Sequence, residues 1–231
     1  IFAAQPARNM LRYQAIDVSG DFLAAAGAEV LRVAAGMKIP PLTCRGDFMS
    51  AAHGFDPADV VLFLGTTISN FEPEAAALLL ARIAADYLKP GGLLVIGQDG
   101  NQDAESLSHC YDDRRHHTAA FVMNGLRQIR RDILTNIDLS QFRYRAQFDR
   151  ESRMMRMGIE SKADQAYDID GQAVDFAAGE FIQVGQSRKY TGDEVREMAA
   201  AAGYAVVKSA ASPEGVNLHF FRNGWNHDRA L

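Results

Sequence analysis

An unbroken apolar run from Val60 to Leu64, bounded by Asp59 and Gly65, predicts a strand buried on both faces, as a parallel sheet requires. After the turn Gly65–Asn70, apolar residues recur at helical spacing: Ala75, Leu78, Leu79, Ile83 and Leu88, with Arg82 among them. They predict a helix with Lys89 in its last turn, complementing the helix dipole, and Pro90-Gly91-Gly92 as its stop. Leu93–Ile96 reads as a second buried strand, with Gln98 and Asp99 at its carboxyl end. This is a strand–helix–strand unit whose two strands should run parallel. Ligands of such sheets bind beyond the carboxyl ends of the strands. Thr66, Thr67, Ser69, Asn70, Gln98 and Asp99 are therefore the polar residues to watch.

The same rhythm precedes this unit. Residues 12–16 predict a strand ending on Asp17, and Ser19 is placed to cap a helix that buries Phe22, Leu23, Ala26, Val30, Leu31 and Val33. Pro40-Pro41 leads into a strand at Leu42–Arg45, which ends on Gly46-Asp47-Phe48. After Asp99 the pattern changes. Thr118 is expected to cap a helix reaching about Leu134, with Phe121, Met123, Leu126, Ile129 and Ile133 apolar. From Phe142 to Lys189 short alternating segments separated by charged or Asp-Gly turns predict antiparallel strands. Thr191 caps a further helix that ends at Gly203, and YAVVKSAA and VNLHFFR return as an antiparallel pair. The tail GWNHDRAL is expected to be loose. The expectation is an α/β fold with a doubly wound core over 1–104 and 191–231, interrupted by an α+β insertion over 105–190.

Composition narrows the functions. A net charge of −5 and a pI near 5.7 supply no basic footprint, so nucleic acid is not expected as a partner. No apolar run approaches the roughly 20 residues that cross a bilayer, so no membrane association is expected. Cys44 and Cys110 match no metal spacing and read as free thiols in a reducing, cytoplasmic setting. No metal site is expected: His53, His109, His116 and His117 read as surface or packing residues, and Met154, Met155 and Met157 as core, with Met157 able to line a pocket. A monomer is expected.

Several residues have two readings. Asp17, between a strand and a helix, is either a helix-start acid or the acceptor for both hydroxyls of a ribose. Asp47 and Phe48 form either an ordinary turn or a cradle for an adenine amino group and ring. Asn70 either caps the following helix or presents its amide to a substrate carboxylate or amine. Tyr111 either packs with its hydroxyl in water or belongs to the site.

The ordered set YQAIDVS, GDF, FLGTTISNF, LKPGGLLVIGQD, YDD followed by TAAF, FAAGE and SRKY resembles one family. It is similar to the histidine-specific, S-adenosylmethionine-dependent Nα-methyltransferases of ergothioneine biosynthesis, from about residue 8 to about residue 222. The resemblance implies a Rossmann-like class I methyltransferase core with an inserted substrate-binding subdomain, S-adenosylmethionine as cofactor, and an amino acid as substrate. It implies that Asp17 takes the ribose, that Asp47 and Phe48 hold the adenine, and that Gly65 and Thr66 line the cofactor. Asn70 and Tyr111 would grip the carboxylate and amino end, with Met157, Gly185 and Ser187 around the substrate side chain.

Two departures qualify what the resemblance carries over. The family's TE-x-S-x-KF stretch reads VGQSRKY over 184–190, so Gly185 stands where a glutamate grips the imidazole. Losing that charge-assisted hydrogen bond, about 1.5–3 kcal/mol, lowers histidine affinity about ten- to a hundred-fold. An aromatic amino acid could use the space, while Gln186 points to the opposite face of a strand. No G-x-G pattern is present either, so the chain is expected to start after the family's glycine-rich first strand and to lack an N-terminal substrate tyrosine. Weak or absent activity follows from that expectation. Two alternatives remain: a non-catalytic binding protein, and a methyltransferase domain fused to an iron-dependent sulfoxide synthase.

Overall fold

A computed structural model describes residues 12–33, 42–50, 54–213 and 215–224. The Pro40-Pro41 connection, His53, the Val33 side chain and the tail beyond Gly224 lie outside the described residues. β1 (Gln14–Asp17) and β2 (Leu42–Arg45) pair in parallel, with Asp17 opposite Arg45. Between them runs α1 (Gly20–Val33), started by Ser19 Oγ accepting the Phe22 N–H at 3.3 Å. β3 (Ala58–Phe63) and β4 (Leu88–Asp99) also pair in parallel, joined through a short 3-10 turn at Thr67–Asn70 and α2 (Pro73–Arg82).

The other edge of β4 pairs antiparallel with β11 (Val216–Asn223), which pairs with β10 (Tyr204–Ala211). Before that pair comes α5 (Gly192–Ala201), entered through a reciprocal cap in which Thr191 and Glu194 satisfy each other's backbone N–H groups. Leu79, Leu80, Ile96, Tyr190, Val195 and Phe221 are among the fully buried side chains of this core. The parallel unit and the returning antiparallel pair are as expected.

The departures have physical causes. The helix expected to reach Lys89 stops at Arg82; the chain widens into one π turn over Ile83–Tyr87 and is already strand at Leu88. Lys89 therefore pairs with Asp59 at 2.9 Å rather than with a helix end. Pro90-Gly91-Gly92 sits inside β4, where the pairing with β3 jumps from Leu88 to Leu93; such a bulge tolerates a proline that cannot donate. β3 is not buried on both faces. Val61 and Phe63 reach the core, but Val60 and Leu62 are 49% and 44% exposed. Among the described residues β3 pairs with β4 alone, while α1 packs on β1 and β2. A two-stranded sheet covers only a narrow stripe of a helix, so α1 buries Leu23 and Val30 and leaves Phe22 and Leu31 exposed.

Residues after Asp99 form a second assembly with its own apolar cluster. α3 (Ala104–Tyr111) and α4 (His117–Asp132) precede a sheet in the order β5 (Phe142–Asp149), β6 (Met154–Ser161), β9 (Phe181–Arg188). The hairpin β7 (Gln165–Ile169) and β8 (Gln172–Phe176) turns through Asp170-Gly171, both at positive φ, as a right-twisted hairpin prefers. The antiparallel strands are as expected. α4 starts one residue before Thr118, with His116 left-handed at its cap, and its buried residues are Val122 and Leu126, so Phe121 and Ile133 face outward. Met154 and Met155 are buried, as read from the sequence.

No helix among the described residues is long and apolar enough to cross a membrane. Both cysteines are free thiols.

His219 ties β11 into the core. Its ring stacks on Phe221 with centroids 5.7 Å apart, Nδ1 lies 2.8 Å from Ser209 Oγ, and Nε2 lies 3.3 Å from Gln98 Oε1. Gln98 Nε2 donates to the Tyr190 carbonyl, so Oε1 faces the histidine and accepts from Nε2–H. Burial, aided by the Arg196 charge, lowers the His219 pKa below its ordinary 6.5. The unfolded chain then binds more protons than the folded one below pH 6.5, and stability falls with pH there. Thermal melts should be level with respect to this residue above about pH 7 and decline below pH 6.5. His219→Gln should flatten that part of the decline, read as the difference between the two melting curves.

Candidate active site

β1 and β2 run in parallel and end together, and the turn after β2 brings Phe48 against Phe63 at the end of β3. Asp17 closes β1 with Oδ1 accepting the Ser19 N–H at 2.8 Å. Its other oxygen has no hydrogen-bond partner among the described residues. The Gly46 N–H donates to the Asp17 carbonyl at 3.0 Å, which carries Asp47 to the same edge. There Asp47 Oδ1 accepts the Met49 N–H at 2.8 Å. Phe48 is half-buried, edge-on to Phe63 and Phe71 at 5.6 and 6.4 Å.

After β3 come two consecutive left-handed residues, Gly65 (φ 79°) and Thr66 (φ 61°). The conformation is ordinary for glycine and costs a β-branched residue about 1–3 kcal/mol, strain that collects at ligand sites. A Cβ on Gly65 would meet open space, whereas one on Gly97 of β4 would lie 3.3 Å from the Gly65 nitrogen.

The 3-10 turn ends on Asn70, which is exposed and whose amide makes no hydrogen bond among the described residues. The capping alternative does not hold, because α2 is entered at Glu72 with no side-chain cap. Next to Asn70, Ser69 Oγ is buried without a partner among the described residues. This turn packs against β9: Glu72 accepts from Gln186 at 3.0 Å and from Arg188 at 3.1 Å, and Tyr190 donates to the Phe71 carbonyl at 2.8 Å. Burial pushes the Tyr190 phenol up to about 12, against the opposing pull of the Arg188 charge.

β9 also gathers the remaining candidates. Gly185 lies opposite Met157 and Ser187 opposite Met155, so these four share one face of the β6–β9 pair. Lys189 continues that face, and its Nζ donates to Asp99 Oδ2, to Tyr111 Oη at 2.8 Å and to Ser187 Oγ at 3.3 Å. Tyr111, the last residue of α3, is held from behind by Tyr144, whose hydroxyl donates to the Tyr111 carbonyl at 2.7 Å. The turn that carries Asn70 and the Tyr111 hydroxyl are thus each tied to residues 186–190, through Glu72 and Phe71 in one case and Lys189 in the other. Asp17, Asp47, Phe48, Gly65 and Thr66 lie along the strand ends.

The model of the histidine-specific, S-adenosylmethionine-dependent methyltransferases matches residues 1–222. This chain belongs to that family. The histidine N-alpha-methyltransferase of Mycolicibacterium smegmatis is 30% identical over 220 residues, covering 92% of this chain and 67% of the relative. The enzyme of the same name from Mycobacterium tuberculosis is 29% identical over 199 residues, covering 84% and 61%. The chain therefore spans 67% and 61% of the length of these two relatives. An S-adenosylmethionine-dependent methyltransferase from Clostridium acetobutylicum superposes with a TM-score of 0.52 at 11% identity, over 93% of this chain and 76% of that one. That likeness places the fold among the Rossmann-like class I methyltransferases.

Within this methyltransferase family fold, reading the sequence missed two residues and misread a third. Gln98, marked as a strand-end polar group, is fully buried and structural, bonding Tyr190, Asn217 and His219. Tyr190 and Lys189 were quoted only as letters of a motif, yet each is 1% exposed. The available signal was the two-residue spacing of Lys189 from Ser187, which puts both on one strand face.

Asn70→Ala should leave the unfolding free energy within about 0.5 kcal/mol, since the amide supports nothing in the fold. The same variant should lose amino-acid affinity in calorimetry. A large loss of stability would show that Asn70 is structural.

Proposed function

We propose that this chain carries the S-adenosylmethionine and amino-acid sites of an Nα-methyltransferase acting on histidine or a close relative of it. One observation carries the reading. The turn that carries the unengaged Asn70 amide packs on β9, the Tyr111 phenol shares Lys189 with Ser187, and Gly185 lies on the same strand face as Ser187.

The residues fit the cofactor. The open carboxylate oxygen of Asp17 suits a ribose diol, and Asp47 with Phe48 suits an adenine. Gly65 and Thr66 suit the region next to them, where the backbone is left-handed and open. When bound, S-adenosylmethionine supplies an electrophilic methyl group on a sulfonium. The chain's own residues do the positioning. The Asn70 amide and Tyr111 O–H hold the substrate carboxylate, which leaves the adjacent α-amine free to turn toward the strand ends. Fixing two points of a small molecule removes most of its rotational freedom, a large lever for an in-line displacement in which the amine attacks in its neutral form, having given its proton to solvent. Residues 105–190 act as the substrate-binding part, with Met157, Gly185 and Ser187 around the side chain.

Gly185 favours a second reading, in which the substrate is aromatic. A Cβ there would meet only Met157 Cε, at 3.3 Å, so the wall facing the substrate is a flexible apolar tip rather than a carboxylate. Gln186 is engaged by Glu72 and does not substitute.

Calorimetry with S-adenosylhomocysteine, followed by a mass-spectrometric screen of amino acids for methyl uptake, tests both readings. Methyl transfer to histidine supports the first, and preferential transfer to tryptophan or tyrosine supports the second. Cofactor binding with no methyl uptake, in a form extended upstream as well as in this chain, would make the protein a binding protein. Gly185→Glu should raise histidine affinity about ten-fold or more, the worth of a charge-assisted hydrogen bond. No gain for histidine would refute this account of the pocket.

A further inference from the structure

Lys189 is 1% exposed, yet it carries an ammonium group with three protons to place. Its three acceptors are Asp99 Oδ2, Tyr111 Oη and Ser187 Oγ. An ammonium only donates, so the oxygens of Tyr111 and Ser187 must both accept from it. Each hydroxyl then has its own proton directed elsewhere. Nζ also lies 4.7 Å from the centroid of the Tyr111 ring, which places the charge against the phenol as well as on its oxygen.

We infer that Lys189 is a positioning residue that sets the polarity of the substrate site, turning Tyr111 and Ser187 into outward-pointing donors selective for anionic and acceptor groups on the ligand. The inference rests on the reading of Tyr111 as the carboxylate grip and deepens it. The other bonds around the lysine support a fixed orientation. Its backbone N–H donates to the Arg153 carbonyl at 2.8 Å, and its carbonyl accepts from Gln102 Nε2 at 2.7 Å. Asp99 is itself held, with Oδ1 accepting the Asn101 N–H at 3.1 Å. A phenol that accepts from an ammonium is also a stronger donor, because the two hydrogen bonds polarise one another. A ligand carboxylate gains from both effects. A ligand carboxamide, lacking the charge, gains less.

The test measures histidine and histidinamide binding by calorimetry in the whole gene product saturated with S-adenosylhomocysteine. Lys189→Met should weaken histidine about ten-fold or more, leave S-adenosylhomocysteine affinity unchanged, and narrow the preference for histidine over histidinamide. Combined with Tyr111→Phe, it should add less than it costs alone, the remainder acting through Ser187. Asp99→Asn keeps the ammonium and removes its counter-charge, so it should tighten histidine binding. This variant also decides the matter if the lysine variant does not fold. Weaker histidine binding in Asp99→Asn, or a Lys189→Met effect that is the same with and without Tyr111→Phe, overturns the inference. Unchanged histidine affinity in Tyr111→Phe alone overturns instead the reading of Tyr111 on which it rests.

Discussion

A lysine ammonium removed from water must find its acceptors inside the protein, and that requirement organises this fold. Taking the charge out of solvent costs several kcal/mol, which only close partners offset. Lys189 finds them at the ends of three separate elements: Asp99 closing β4, Tyr111 closing α3, and Ser187 near the end of β9. The lysine cannot be satisfied unless all three ends meet. The next residue anchors the other side of the chain: Tyr190 is buried in the core, donates to Phe71 and accepts from Gln98. Two adjacent residues thus tie the inserted sheet to the parallel strands by opposite means, one polar and one largely apolar.

That joint explains why the candidate groups sit where they do. The β5–β6–β9 sheet has its own cluster around Val122, Leu126 and Ile159, separate from the cluster under the parallel strands. Polar pairs join the two parts: Glu72 with Gln186 and Arg188, and Arg153 with Glu194. A boundary of this kind leaves hydroxyls and amides near the strand ends instead of packed leucines. Elsewhere in the insertion, Arg145 and Arg143 on β5 hold the buried Glu160 carboxyl below its ordinary value, so charge is confined by pairing there too.

Much of the architecture was legible along the chain because it depends on local signals. The Ser19 and Thr191 caps, the Asp170-Gly171 hairpin, the alternating strands after Phe142 and the strand-end positions of Asp17 and Asp47 each follow from a few neighbouring residues. Errors arose where a neighbour distant in sequence decided the outcome. The face of α1 that is buried depends on how wide a sheet it meets, and the exposure of Val60 and Leu62 depends on what lies beside β3. α2 ends early because the chain is already paired as strand with β3 from Leu88.

The order of motifs in the sequence by itself determined the family, the parallel strand unit and the residues that stand at its carboxyl ends, because those are properties of spacing and periodicity. Only the tertiary structure decided that Gln98 is a buried strut, that Asn70 caps nothing, and that Lys189 sits inside rather than at the surface. A lysine read alone belongs in water, and its spacing from Ser187 marks a shared strand face without saying that the face is buried. Its burial becomes tolerable only when Asp99, 90 positions away, and Tyr111, 78 positions away, are brought within hydrogen-bond reach.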